Sequence, residues 1–149
     1  MPRLDKTHIV KHSAQDMFDL VCDVEYYPEF VPLCRSLHVK SRKFRDGKTL
    51  MLADMTMAYN MLSETFTTQV FMDPEMLKID VKYIDGPFRH LNNEWSFHEL
   101  EDGNCEISFL IDYELRNRML AMAAGAVFEV AFGRFVSAFE ARADRIYGV

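Results

Sequence analysis

The sequence predicts an α+β fold in which one curved antiparallel sheet wraps around a long C-terminal helix. Three observations predict it. Turn signals recur at short intervals through the middle of the chain, apolar residues alternate with period two between them, and the last stretch changes to helical spacing. The 149 residues suit a single domain spanning 1–149, long enough to bury about 70% of the surface of its unfolded chain.

The elements follow in order. A first strand is expected near 4–11. Ser13-Ala14-Gln15-Asp16 is a helix start, and Met17, Leu20, Val21 and Val24 continue it at helical spacing over 14–23. The next stretch, EYYPEFVPLCRS (25–36), holds Pro28 and Pro32 among Tyr26, Tyr27 and Phe30. It fits neither a long helix nor a central strand, so two short helical segments follow the first strand. Turn signals at Asp46-Gly47, Tyr59-Asn60, Asp73-Pro74, Asp85-Gly86-Pro87 and Asp102-Gly103 divide the rest into strands near 37–45, 49–59, 62–72, 76–84, 88–99 and 104–115. The clearest is the last, where Cys105, Ile107, Phe109, Ile111, Tyr113 and Leu115 share one face and Glu106, Ser108, Asp112 and Glu114 the other. From Asn117 to Ile146 a single helix is expected, apolar in its first half and charged at its end. A one-sided sheet needs a cover, and this helix is the long one available. The pattern fits both a hollow between the two and a fully packed core.

Composition narrows the function. A net charge of −6 excludes a domain with a dominant basic face for nucleic acid or anionic membrane. Cys22, Cys34 and Cys105 are an odd number without C-x-x-C spacing, as in a reducing compartment, and the N-terminus lacks a secretory pattern. A cytoplasmic protein, at most peripheral to the inner membrane, is expected. Residues 119–139 have the length of a membrane span, but Glu129 and Arg134 interrupt them. The five histidines form no ligand pair; His90 and His98, eight residues apart on one strand, would stand roughly 26 Å from each other. They read as hydrogen-bonding side chains, and no metal site is expected. No nucleophile elbow or phosphate-binding glycine loop occurs, so no catalytic residue is assigned; Gly125 and Gly133 are attributed to close helix–sheet packing.

The apolar residues are more informative. Met51, Met55 and Met57 share a strand face, and thioethers suit a surface that fits variable apolar molecules. With Trp95, Phe97, Phe109, Phe128, Phe132 and Phe135 they make a deformable lining; ordinary core filling is the competing reading. Glu64 and Tyr113 are the candidates for contact with a polar ligand head. Lys40, Arg42, Lys43 and Arg45 concentrate on one hairpin, either as solvated edge protection or as a contact for RNA or lipid phosphates.

DVEYYPEFVPLCRS, SETFTTQV and DGPFRHLNNEWSF, followed by a strand and a long helix, closely resemble the coenzyme Q-binding START-like family of the polyketide cyclase and lipid-transport superfamily, together with its ribosome-association toxin relatives. The resemblance implies the helix-grip fold of START and Bet v 1-like proteins, with an apolar tunnel between sheet and helix. It implies a non-enzymatic ubiquinone chaperone supporting respiratory electron transport, with the respiratory membrane or its complexes as partners. The bound ligand would be ubiquinone or a similar polyprenyl quinone. The toxin relatives imply instead a protein that binds the large ribosomal subunit, and the wider superfamily a cyclase or aromatase using Glu64 and Tyr113. By the resemblance, Tyr27, Phe30, Val31, Pro32, Phe88, Leu91, Trp95 and Phe97 are ligand-binding residues, and the inward faces of strands and helix add Met55, Met57, Phe66, Phe109, Phe128 and Phe132. The Tyr-Pro segment would be a lid over the tunnel. Where the family usually has glycine between Leu91 and Trp95, this chain has Asn93, and a left-handed bulge is expected there.

Overall fold

The computed structural model describes residues 3–59 and 61–148. Asn60, half of the expected Tyr59-Asn60 turn, lies outside the described residues. Strand β1 (Arg3–Val10) is followed by helix α1 (Ala14–Cys22), a 3-10 helix (Val24–Glu29) and the strands β2 (Cys34–Arg45), β3 (Lys48–Tyr59), β4 (Leu62–Asp73), β5 (Lys78–Asp85), β6 (Phe88–Glu99) and β7 (Cys105–Leu115). Helices α2 (Arg118–Gly133) and α3 (Phe135–Tyr147) complete the chain. The strands form one antiparallel sheet in the order β1-β7-β6-β5-β4-β3-β2. Its face toward the helices is apolar, and this is the helix-grip architecture.

Local chemistry sets the element boundaries. The Ser13 hydroxyl accepts from the Asp16 N–H at 3.1 Å and starts α1. Asn117 caps α2 in the same way, its Oδ1 accepting from Leu120 N–H at 2.8 Å. Strand β7 alternates buried and half-buried along its whole length, as its sequence dictates. Bulges on β2 at Cys34/Ser36 and Val39/Ser41, between β4 and β5, and at Phe88/His90 on β6 bend and twist the sheet. Gly86 permits the β5–β6 turn: its φ is +143° and a Cβ there would lie 2.6 Å from Phe66 Cβ.

Three expectations require correction. The C-terminal helix is two helices, bent by 41° at Arg134. Gly133 weakens the backbone at the break, where Arg134 N–H donates to Ala131 O at 3.1 Å, and Arg134 O accepts from both Ala138 N–H at 3.0 Å and the Ser137 hydroxyl at 3.1 Å. Close packing does not account for the helix glycines: a Cβ on Gly133 would meet nothing within 4 Å, and one on Gly125 only Leu115 at 3.9 Å. Asn93 forms no left-handed bulge. It pairs in register with Ile111, and the positive-φ residues other than glycine are Leu33, Asp46 and Leu77 among the described residues. Its side chain supplies the reason, as described below.

Helix α3 is fastened to the rest of the fold by polar contacts. His8 Nε2 lies 2.8 Å from Glu140 Oε1, and His12 Nε2 lies 2.7 Å from Asp144 Oδ1. The Arg142 guanidinium donates to Glu29 at 3.0 Å, and Tyr147 donates to Asp16 O at 3.2 Å. Helix α2 has no comparable ties among the described residues, and Met119 and Met122 on it are each 81% exposed. No single helix is long and apolar enough to cross a membrane among the described residues; α2 and α3 reach that length only as the bent pair.

Candidate functional site

The face of the sheet beneath α3 does not close completely. A narrow slot of about 70 Å³ remains between α1, the 3-10 helix, strands β2 to β7 and the helix break. Tyr27, Met55, Phe66, Leu91, Trp95 and Phe132 line it, six of the residues expected to bind ligand. Phe139 is the hub above them. Its ring is 99% buried and meets Tyr27, Phe30 and Trp95 edge-on at 5.2, 5.1 and 5.2 Å. Burying a side chain of that size contributes about 1.5–3 kcal/mol.

Other expected residues stand behind this lining. Phe97 stacks on Trp95 at 6.0 Å with its edge supported by Phe18, and Phe109 packs on Trp95 at 4.6 Å. Phe88 and Phe128 belong to a neighbouring aromatic cluster with Phe66 and Tyr113. Met57 and Val31 are buried in the core, while Phe30 and Pro32 are half-buried outside the slot. Glu64, on β4 beside Met57, lies outside the slot.

The Tyr-Pro segment is a fixed wall. Val31 and Phe30 N–H groups donate to Tyr27 O at 2.8 and 3.1 Å, Cys34 N–H donates to Val31 O, and Ala58 N–H on β3 donates to Leu33 O at 2.9 Å. The Tyr27 hydroxyl donates to Val21 O, and complete burial raises its pKa well above the usual phenol value. Over its outer side, Arg142 lies 5.0 Å above the Phe30 ring.

Sequence reasoning left out the polar element of the slot. Asn93 is 8% exposed and faces inward. Its Nδ2 donates to Leu110 O at 2.8 Å, and its Oδ1 accepts from Trp95 Nε1 at 3.1 Å. The amide therefore occupies the space that a glycine bulge would open, and it fixes the indole plane. Thr68 is the other buried polar side chain on the sheet lining. The slot walls carry neither carboxylate nor imidazole. Among the described residues no group of three His, Cys, Asp or Glu side chains could hold a metal ion.

On the β2–β3 hairpin, Lys40 lies 3.9 Å from Asp54, Arg42 lies 3.4 Å from Glu25, and Lys48 lies 3.9 Å from Asp73. Lys43 and Arg45 are exposed and form no ion pair among the described residues.

Comparison with known proteins agrees with this geometry. Residues 10–140 match the family described as polyketide cyclase / dehydrase and lipid transport, and the chain belongs to that family. It is 34% identical over 147 residues to the ribosome association toxin RatA of Escherichia coli K12, covering 99% of this chain and 90% of the relative. It is 31% identical over 137 residues to the mitochondrial coenzyme Q-binding protein COQ10 of Drosophila melanogaster, covering 90% of this chain and 55% of that one. Among solved structures, the 18 kDa protein CC1736 of Caulobacter crescentus is 30% identical with a TM-score of 0.80 over the full length of both. The ZhuI aromatase/cyclase of Streptomyces sp. R1128 superposes with a TM-score of 0.81 at 16% identity, covering 97% of this chain and 94% of that one, a likeness of fold alone.

Proposed function

We propose that this protein shelters and delivers a polyprenyl quinone of the ubiquinone type, serving respiratory electron transport as a carrier without catalysing a reaction. The observation that supports this most directly is the slot beneath the helices, with aromatic and aliphatic walls and an indole held in one plane by Asn93. The likeness to a coenzyme Q-binding protein points the same way. At about 70 Å³ the slot is smaller than the roughly 150 Å³ that holds benzene in an engineered cavity, so a bound ligand must widen it. Met55, half-buried at its edge, is the side chain best able to yield. Such a carrier would work in the cytoplasm at the periphery of the inner membrane, exchanging cargo with the respiratory membrane or its complexes.

The test is to purify the protein from its native host and analyse an organic extract by mass spectrometry. Wild-type protein is expected to carry a quinone, and Ala53→Leu, which fills the slot, is expected to lose it while keeping the same circular dichroism. An extract free of quinone from correctly folded wild-type protein would refute the carrier function.

A second reading is association with the large ribosomal subunit, favoured by the unpaired Lys43 and Arg45 and by the likeness to RatA. Co-sedimentation with that subunit at low salt, lost when Arg42, Lys43 and Arg45 are replaced by alanine, would support it. No co-sedimentation at low salt would dismiss it.

A further inference from the structure

The slot is too small for an oxygenated ring, but it is not the end of the hollow. A second cavity of about 560 Å³ lies across Ile111 and Phe132, which line both. Its volume falls within the roughly 300–1,000 Å³ of small-molecule sites. It opens between β1, β7 and the C-terminal end of α2, on a side of the fold away from the Tyr-Pro wall.

Tyr113 lines it, with its hydroxyl covered in this structure. The residue is 2% exposed, its ring meets Phe132 edge-on at 5.0 Å, and its hydroxyl has no hydrogen-bond partner. Phenylalanine would pack equally well, and an unpaired buried hydroxyl is costly. Arg142 Nε is the other such atom among the described residues, but it belongs to a guanidinium already engaged by Glu29. At the mouth, Gly133 leaves open space where any other residue would place a side chain. The rim disfavours anions: Glu129 is an exposed carboxylate, and Arg3 is occupied by Asp112 at 3.7 Å and Asp5 at 4.0 Å.

We propose that this outer cavity binds the ring of a neutral quinone, the Tyr113 hydroxyl donating a hydrogen bond to a ring carbonyl and the ligand entering past Gly133. This assignment rests on the carrier function, with the inner slot receiving the start of the tail. Burial first, and the nearby Glu129 second, push the Tyr113 pKa up to about 12, so the group remains a donor at physiological pH.

Trp95 is the sole tryptophan, and its fluorescence reports binding in the full-length protein. Two probes are titrated: a short-tailed ubiquinone and a polyprenyl benzene of the same tail length without ring oxygens. Tyr113→Phe is expected to weaken the quinone roughly 5- to 10-fold, the worth of one neutral hydrogen bond, and to leave the oxygen-free probe unchanged. Gly133→Leu is expected to weaken both at least about tenfold without lowering thermal stability, since leucine is the better helix former. Equal effects of Tyr113→Phe on the two probes would overturn the hydrogen bond. Wild-type affinity in Gly133→Leu would overturn the entry route and leave the carrier function standing. A wild-type protein that binds neither probe would overturn both.

Discussion

Replacing Asn93 with alanine should remove more stability than its small side chain suggests. The amide joins two groups of the buried sheet face, the Leu110 carbonyl at 2.8 Å and the Trp95 indole N–H at 3.1 Å. Each buried group left unpaired costs about 1–3 kcal/mol, and water admitted to the slot would recover part of it. A net loss of about 2–4 kcal/mol is expected. Trp95, 4% exposed, is a direct reporter, so urea unfolding can be followed by its emission. With a slope of about 2 kcal/mol per molar, the midpoint should fall by roughly 1–2 M. The decisive comparison is the same substitution in a Trp95→Phe background, followed by far-ultraviolet circular dichroism. There the indole N–H no longer exists, and the cost of Asn93→Ala should shrink by about 1–2 kcal/mol. Additive costs, or a midpoint shift below about 0.3 M in the parent, would refute the role of Asn93 as the clamp on the indole.

Three further predictions follow from single positions. Gly86→Ala places a methyl group 2.6 Å from Phe66 Cβ and 2.9 Å from its Cα at φ +143°, so thermal unfolding should show a loss of about 3 kcal/mol or more. The Asp23 carboxyl is raised in pKa, first by burial and then by Glu25, with Arg42 opposing. A raised carboxyl favours the fold while protonated and loses that contribution as pH climbs through the folded-state pKa. Asp23→Asn should therefore stabilise the protein at about pH 7 and make no difference at about pH 3. Burial pushes Cys22 up to about 12 and Cys34 and Cys105 up to about 11. Their thiolate fraction at pH 8 is then on the order of 10⁻³ or less, and a disulfide reagent should label the native thiols at least about 100-fold more slowly than the denatured ones.

Strand parity told which residues face inward. Cys105 to Leu115, and Leu91 with Trp95 and Phe97, are buried where their alternation puts them. Parity is silent on how closely opposite walls approach. Phe97 and Phe109 therefore point inward but spend their surface on Phe18, Trp95 and Phe135 instead of on the slot. The central ring, Phe139, was legible in principle, since Phe128, Phe132, Phe135 and Phe139 recur at steps of four, three and four. The helix break was harder to see, because Gly133 sits in a strongly apolar run whose periodicity continues through it. Asn93 misled for a different reason: the residue tolerates left-handed backbone, but here two hydrogen bonds hold its side chain inside a regular ladder.

The break at Arg134 gives the two C-terminal helices unequal anchorage. Helix α3 is pinned at four places, to β1, to His12 just beyond it, to the 3-10 helix and to α1, whereas α2 rests on Ala124, Phe128, Ala131 and Phe132. Amides of α2 should accordingly exchange with solvent through local excursions that leave α3 and the sheet protected. The molecule can thus loosen one span of its roof without surrendering its cooperative core, and the seam between stiff and yielding halves falls beside Gly133.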